Sequence, residues 1–411
     1  MTNTTNFYQG NNPCDLISTF GSPLYVYNER VFRNKCRDMV NLCPYPEFRV
    51  NYAIKANTNL TLLTIAKEEG LCADVSSKGE AVAALAAGFT AKEIMFIVNN
   101  ASPEELRYAA IQGFCVSVDS LSQLKTYGEL NPGGRVAVRF NPGMGGGHHE
   151  KVITGGDKTK FGITADRVDD VKKALALYDL KLVGINHHIG SQNDNDFYMN
   201  CAKRLLSIVR QFDDLDFVDF GGGFSIPYHK QDGETPLDLH ELGASLSQCM
   251  FDFSAKYGKP LQCIVEPGRY ISAESGVLLG TVHSVKNNGL STYVGCDIGF
   301  SVFARPTLYD SHHDIEVYNK AGDTPSAKEV ISIVGNQCES GDYIAKERLL
   351  PIMTEGDVFG VLDAGAYGYS MSSQYNHRQR PAEVLIREDG TLKLIRRRDT
   401  FEDMLRNMQE I

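Results

Sequence analysis

Phe48-Arg49-Val50-Asn51-Tyr52-Ala53-Ile54-Lys55-Ala56-Asn57 is an apolar, strand-like run that ends on a lysine; the helix-like stretch Asn59 to Glu69 and a second apolar run, Cys72 to Ser76, follow it. Strand, helix and strand in that order predict a parallel crossover unit. Working outward, the same alternation recurs. Candidate strands are Val50 to Lys55, Cys72 to Ser76, Ile94 to Val98, Cys115 to Asp119, Val136 to Phe140, Leu182 to Ile189, Phe217 to Phe220 and Leu261 to Glu266. Helix-like segments between them include Gly79 to Ala87, Pro103 to Gln112, Arg167 to Tyr178 and Glu241 to Lys256. Eight strands with intervening helices predict an α/β fold of the eight-stranded β/α (TIM-like) barrel type, whose chemistry gathers on loops at the carboxyl ends of the strands. The alternative, an open doubly wound sheet, would carry Gly-x-Gly-x-x-Gly after its first strand to bind a dinucleotide, and none is there.

After Tyr270 strand-like pieces such as Gly280 to Val285, Leu290 to Cys296, Glu329 to Val334 and Asp357 to Asp363 come without regular helices between them. They predict a second, mostly β domain. The expected boundaries are 30–274 for the barrel, and 1–29 with 275–411 for the β-rich domain, to which Pro23 to Tyr27 adds a strand.

The formal net charge of -10 argues against nucleic acid as a partner, since a basic face would be needed. No apolar run is long enough to span a bilayer and the polar start lacks a secretion signal, so a cytoplasmic protein is expected, without a membrane partner. The ten cysteines show neither Cys-x-x-Cys nor a zinc-like spacing, and read as reduced core residues apart from Cys338; no metal is expected. The loop Met144 to Glu150, with His148 and His149 among glycines, reads as a mobile segment whose role is open.

A lysine where a buried strand meets a loop loses its proton readily, and a neutral amine attacks carbonyls. Lys55 therefore suggests an aldehyde cofactor, pyridoxal 5'-phosphate, although a lysine on its own is more often a solvated one. Gly221-Gly222-Gly223-Phe224 after the seventh strand and Glu266-Pro267-Gly268-Arg269 after the eighth stand where such barrels hold phosphate. Glu266 ends an apolar strand, where a carboxylate is costly unless a cation meets it. A protonated pyridine nitrogen is such a cation, and a ring kept charged draws electrons from a carbanion; pairing with Arg269 is the bland alternative. His188 closes the sixth strand and can stack on a flat ring while Ser191 reaches a phosphate. Asp74, Glu80 and Arg139 would face the same mouth; as structural groups they would be a cap, a first-turn acid and a barrel ion pair.

Taken together, Tyr52 to Asn57, Asp74 to Glu80, His188 to Gln192, Gly221 to Phe224 and Glu266 to Arg269 resemble the alanine-racemase-fold decarboxylases that use pyridoxal phosphate. In the second domain Arg305-Pro306-Thr307-Leu308-Tyr309, Cys338-Glu339-Ser340-Gly341-Asp342 and Gly365-Ala366-Tyr367 with Tyr375-Asn376 resemble the diaminopimelate decarboxylases. The resemblance runs from about Pro23 to about Leu385. It implies that Lys55 is the Schiff-base lysine, that His188 stacks on the ring, that Glu266 pairs with its nitrogen, and that Ser191, Gly222, Gly223, Gly268, Arg269 and Tyr367 hold the cofactor with Asp74 and Arg139 behind them. It also implies a homodimer whose active sites straddle the subunit boundary, with Cys338 supplied across it as proton donor. A substrate with a second ammonium and carboxylate calls for an arginine and an acid; Arg269, Arg305, Tyr309, Glu339 and Tyr367 are the candidates. Decarboxylases of simple diamine precursors usually carry aspartate after the cysteine, so Glu339 favours diaminopimelate, which would be converted to lysine and carbon dioxide. A relative acting on a carrier-bound glutamyl group stays open. An amino-acid racemase would set an arginine against the ring nitrogen, and a non-catalytic cofactor carrier would lack the second domain. Asn186, where relatives often have histidine, and Asn99-Asn100-Ala101-Ser102, without the usual lysine or threonine, depart from the pattern.

Overall fold

The computed structural model describes residues 7–145, 154–156, 159–191, 194–318 and 327–409; residues 146–150 of the glycine-histidine loop lie outside them. The chain divides into two compact units, Lys35–Ile226 with Pro236–Ile271, and Met1–Asn34 with Pro227–Thr235 and Ser272–Ile411.

The first unit is a closed barrel. Its strands are β1 Phe48–Ala53, β2 Cys72–Val75, β3 Ile94–Val98, β4 Cys115–Val118, β5 Arg135–Asn141, β6 Lys181–Asn186, β7 Phe217–Asp219 and β8 Gln262–Val265. Each pairs in parallel with the next and β8 pairs back onto β1. Local sequence starts and stops the helices between them. Ser77 Oγ accepts the Glu80 amide at 3.1 Å to open the helix Lys78–Ala86. Ser102 and Glu105 cap each other ahead of Pro103–Gln112, and Gly113 closes that helix with a left-handed backbone, as such caps require.

Side chains alternate in direction along a strand, so residues two apart share a face. Met95, Ile97, Ala137, Val183, Phe217 and Ile264 form an apolar plug inside the barrel. One stride further along the same faces stand Arg139, Asp219 and Glu266, all buried. Burying each large apolar side chain of the plug contributes about 1.5–3 kcal/mol, and this seals the floor under a charged layer. Truncating Ile264 to alanine would cost about 2–5 kcal/mol by leaving a void.

Three elements differ from the sequence expectation in a way that matters to the site. β1 stops at Ala53, and Lys55 sits in a 3-10 turn, Ile54–Ala56. β6 stops at Asn186, which leaves His188 in the following loop. β8 stops at Val265, one residue before Glu266. In each case the regular strand ends one or two residues before the functional residue. Helices at Leu121–Leu130 and Asn195–Val209 complete the crossovers.

The second unit is built on a mixed sheet. Strands run in the order Tyr343–Pro351, Lys328–Val334, Thr292–Cys296, Gly276–Asn287, Leu24–Asn28, Ala382–Ile386, Leu392–Arg396, and Val358–Val361 bridges Gly276–Asn287 to Ile315–Tyr318. The N-terminal strand Leu24–Asn28 lies within this sheet, antiparallel to Gly276–Asn287 and parallel to Ala382–Ile386. Leu24, Val26, Leu279, Val384 and Ile386 bury its core face.

Candidate active site

The carboxyl ends of the barrel strands gather most of the expected groups. Lys55 Nζ lies 3.6 Å from Oδ2 of Asp74, which is buried in β2, one residue before its end. Burial raises the Asp74 carboxyl, and the Lys55 and Arg139 charges oppose that rise. Glu80 reaches back to accept the Ser76 amide at 2.7 Å, so it closes the start of its helix; burial still raises its carboxyl, and the charge of Lys55 reaches it.

Glu266 is 3% exposed, and its Oε1 has no hydrogen-bond partner. Burial raises its carboxyl well above the ordinary range, and the neighbouring acids Asp219 and Asp74 push the same way. Asp219 ends β7, accepts the Gly221 amide through Oδ1 at 2.8 Å, and is pushed up to about 6, chiefly by burial. These two carboxyls form a pair that holds on to a proton. Arg139 stands behind them on β5, its guanidinium 4.5 Å from the Phe161 ring. Burial lowers it, while Glu266, Asp119, Asp74 and Asp219 act to keep it charged.

His188 Nδ1 meets the Thr154 hydroxyl at 2.8 Å and accepts the Gly190 amide at 3.1 Å, which puts the ring proton on Nε2. Burial, then the charges of Lys55 and Arg139, drive its titration well below the ordinary value, so the imidazole is neutral. His187 before it is wholly buried with Nδ1 unpartnered, and burial lowers it to about 3.

The glycine turn packs tightly against the neighbouring rim loops. A Cβ on Gly222 would fall 2.7 Å from the Glu266 carbonyl oxygen and 3.0 Å from His188 Nε2. Gly223 has φ +116°, a backbone that other residues rarely adopt. The Glu266 amide donates to the Gly221 carbonyl at 2.8 Å, tying the two rim loops together. Arg269 Nε donates to Ser191 Oγ at 3.2 Å beside them, and Gly268 packs against Ala53 and Ala56.

Lys55, Asp74, Arg139, His188, Ser191, Gly222, Gly223, Glu266, Gly268 and Arg269 thus all belong to this one unit. The remaining candidates belong to the other. Cys338 is exposed, its amide donating to Asn376 Oδ1 at 3.0 Å, and the next residue, Glu339, accepts from the Tyr375 hydroxyl. Arg305 is buried; its Nε donates to His313 Nε2 at 3.2 Å and its guanidinium lies 5.2 Å from the Tyr228 ring. Tyr309 closes the short helix Arg305–Tyr309, and Tyr367 takes φ +56°.

The sequence reading missed Asp219, His187 and Thr154. Asp219 was open to detection: an acid within Phe217-Val218-Asp219-Phe220 raises the same question of a buried charge as Glu266.

These residues fit pyridoxal phosphate. A buried acid with an unsatisfied oxygen, a neutral imidazole, a lysine beside an aspartate, and a glycine turn with an adjoining serine and arginine are the groups that a cationic ring nitrogen, a flat ring, an aldehyde and a phosphate would meet. The family model of the pyridoxal-dependent decarboxylases, pyridoxal binding domain, matches residues 29–273. The chain belongs to the pyridoxal-dependent decarboxylases. It is 40% identical over 408 residues to diaminopimelate decarboxylase of Methanothermobacter thermautotrophicus, covering 97% of this chain and 94% of that relative. A crystal structure of diaminopimelate decarboxylase matches with a TM-score of 0.90 at 32% identity, over 97% of this chain and 98% of that one. Diaminopimelate decarboxylase of Helicobacter pylori complexed with L-lysine matches with a TM-score of 0.86 at 31% identity, over 95% and 98% of the two chains. Among the described residues, no helix is long and apolar enough to cross a membrane.

Proposed function

We infer that the protein is a pyridoxal phosphate-dependent carboxy-lyase that converts meso-2,6-diaminopimelate to L-lysine and carbon dioxide, the lysine-forming step of lysine biosynthesis. The near full-length likeness to diaminopimelate decarboxylases carries this reading, and the unsatisfied Glu266 carboxyl at the last barrel strand supports the cofactor chemistry.

Bound there, pyridoxal phosphate supplies an aldehyde for an amine and a ring that takes up the electron pair left when carbon dioxide departs. Lys55 would be the amine that holds the cofactor's aldehyde, with Asp74 steadying Nζ. Glu266, with its unsatisfied oxygen, would face the ring nitrogen and hold it in its charged form. His188, neutral and held by Thr154 and Gly190, offers a flat face without adding positive charge. Ser191, Gly222, Gly223, Gly268 and Arg269, with Tyr367, take the phosphate side. Arg305, Tyr309 and Glu339 hold the far end of the substrate, with Arg269 and Tyr367, and Cys338 donates the proton that replaces the carboxylate.

The exposed Cys338-Glu339 turn suits a loop offered to a second copy of the chain, so the active form is a homodimer with shared sites, working in the cytoplasm. Purified protein loaded with cofactor and given meso-diaminopimelate should release equal amounts of lysine and carbon dioxide, with ornithine, arginine and alanine inert; release from ornithine instead, or from none, overturns the assignment. Mixing Lys55→Ala with Cys338→Ala chains should restore part of the activity, because each hybrid dimer retains one intact site. No recovery in verified hybrids refutes the shared site.

A further inference from the structure

Away from the cofactor residues, three side chains of the second unit converge. One donor atom from each of His229, Asp232 and His312 lies within 4.8 Å of the others. His229 and Asp232 come from the excursion Pro227–Thr235, around the 3-10 turn Lys230–Asp232. His312 comes from the loop between Arg305–Tyr309 and Ile315–Tyr318. The two imidazoles stack with centroids 3.8 Å apart and planes 22° apart, and His229 Nδ1 lies 3.4 Å from Asp232 Oδ2.

We propose that His229, Asp232 and His312 bind one divalent transition-metal ion of the zinc class. Two imidazoles and a carboxylate suit zinc, and water fills the fourth position. Bonds of about 2.0–2.1 Å in a tetrahedron set the donor atoms about 3.3 Å apart. Closing from 4.8 Å therefore asks for movements of an ångström or so, and the side chains that must move have room: those of His229 and Asp232 are 51% and 72% exposed. The third is anchored. Buried Asp314 accepts from His312 Nε2 at 3.0 Å, leaving Nδ1 as the basic nitrogen, and also accepts the Gln231 amide at 3.0 Å. A carboxylate behind a ligating histidine is the usual outer support of such a site. The ion would tie the excursion to its own unit, beside the pairs that Lys230 makes with Glu274 at 2.6 Å and Asp363 at 2.7 Å.

The test is a zinc titration of tag-free holoenzyme dialysed against EDTA, followed by calorimetry and by melting temperature. Wild type should bind one equivalent more than the His229→Ala/His312→Ala double variant, and only wild type should show the melting rise linked to that equivalent. Asp314→Asn should weaken this binding by about 10- to 100-fold through its support of His312. Turnover of meso-diaminopimelate reports that each variant is folded, and His229→Gln alone replaces the double variant if that one is unstable. Equal zinc stoichiometry and equal melting shifts in wild type and variant overturn the proposal.

Discussion

The acid pair at the barrel's end makes a prediction about pH. Asp219 is pushed up to about 6 by burial, whereas a carboxyl in the unfolded chain titrates near 3.9. A group whose folded value is raised gives stability that is present below its unfolded value and lost as pH rises through its folded value. For Asp219 the loss falls between pH 4 and pH 6. At about 1.4 kcal/mol per pH unit it totals about 3 kcal/mol by pH 7. His187 works the other way: lowered to about 3 from an unfolded value near 6.5, it costs stability as pH falls, so the protein gains on going from pH 3 to 6.5. The two slopes oppose each other between pH 4 and pH 6, and the wild-type curve alone is uninformative. Comparing wild type with Asp219→Asn removes every shared contribution. The asparagine keeps an oxygen for the Gly221 amide and cannot ionise, so its stability relative to wild type should rise by about 3 kcal/mol between pH 4 and pH 7 in the cofactor-free protein. Glu266 adds to the effect, since Asp219 is one of the causes that raise it. Urea unfolding followed by circular dichroism at several pH values gives the difference. A difference that stays flat, or falls with pH, refutes the account of a buried pair that must be held protonated. Cofactor should shrink the effect in wild type, because a cationic ring nitrogen would offset the charge.

Other perturbations reach the remaining groups. Lys55→Ala should abolish the visible absorption of the dialysed holoprotein along with turnover; a visible band that survives dialysis removes Lys55 from its role. Cys338→Ala should lower turnover by about 10²- to 10⁴-fold, the usual worth of a positioned proton donor, with cofactor binding unchanged in a fluorescence titration. Gly222→Ala puts a methyl group against the Glu266 carbonyl and the His188 ring; at about 1–3 kcal/mol of crowding it should weaken cofactor binding about 5- to 150-fold, and an unchanged affinity would mean that the turn does not face the cofactor.

The barrel was legible because its signal is periodic: eight apolar runs separated by helical segments tolerate errors of a residue or two at each end. The second unit's N-terminal strand was legible too, since Pro23 to Tyr27 is β-rich and has no place in the barrel count. Positions that depend on where a strand stops were harder. Lys55, His188 and Glu266 were all expected at the carboxyl ends of strands, within the strand limits, yet each lies just past the strand's last residue. Periodicity cannot mark that point, because it depends on neighbouring strands running out of partners and not on the local sequence.

What the sequence hid most completely is the sharing of charge across strands. Asp219 and Glu266 are 47 residues apart by their numbering, and no local pattern says that β7 and β8 present them side by side. Once they are adjacent, burial raises both; the charge of Asp219 raises Glu266 further, while the hydrogen bond from Glu266 offsets part of the rise of Asp219, and a proton stays where two anions would otherwise stand. The same packing makes His187 and His188 neutral, although a histidine pair in a sequence suggests a titrating or metal-binding site. The chemistry here is therefore set by the closure of the barrel: the apolar plug of Met95, Ile97, Phe217 and Ile264 blocks the barrel on the inner side of the charged layer. Opening that plug with Phe217→Ala would let solvent reach Asp219 from below, and the shifts of both acids should relax toward ordinary values even though neither residue was touched.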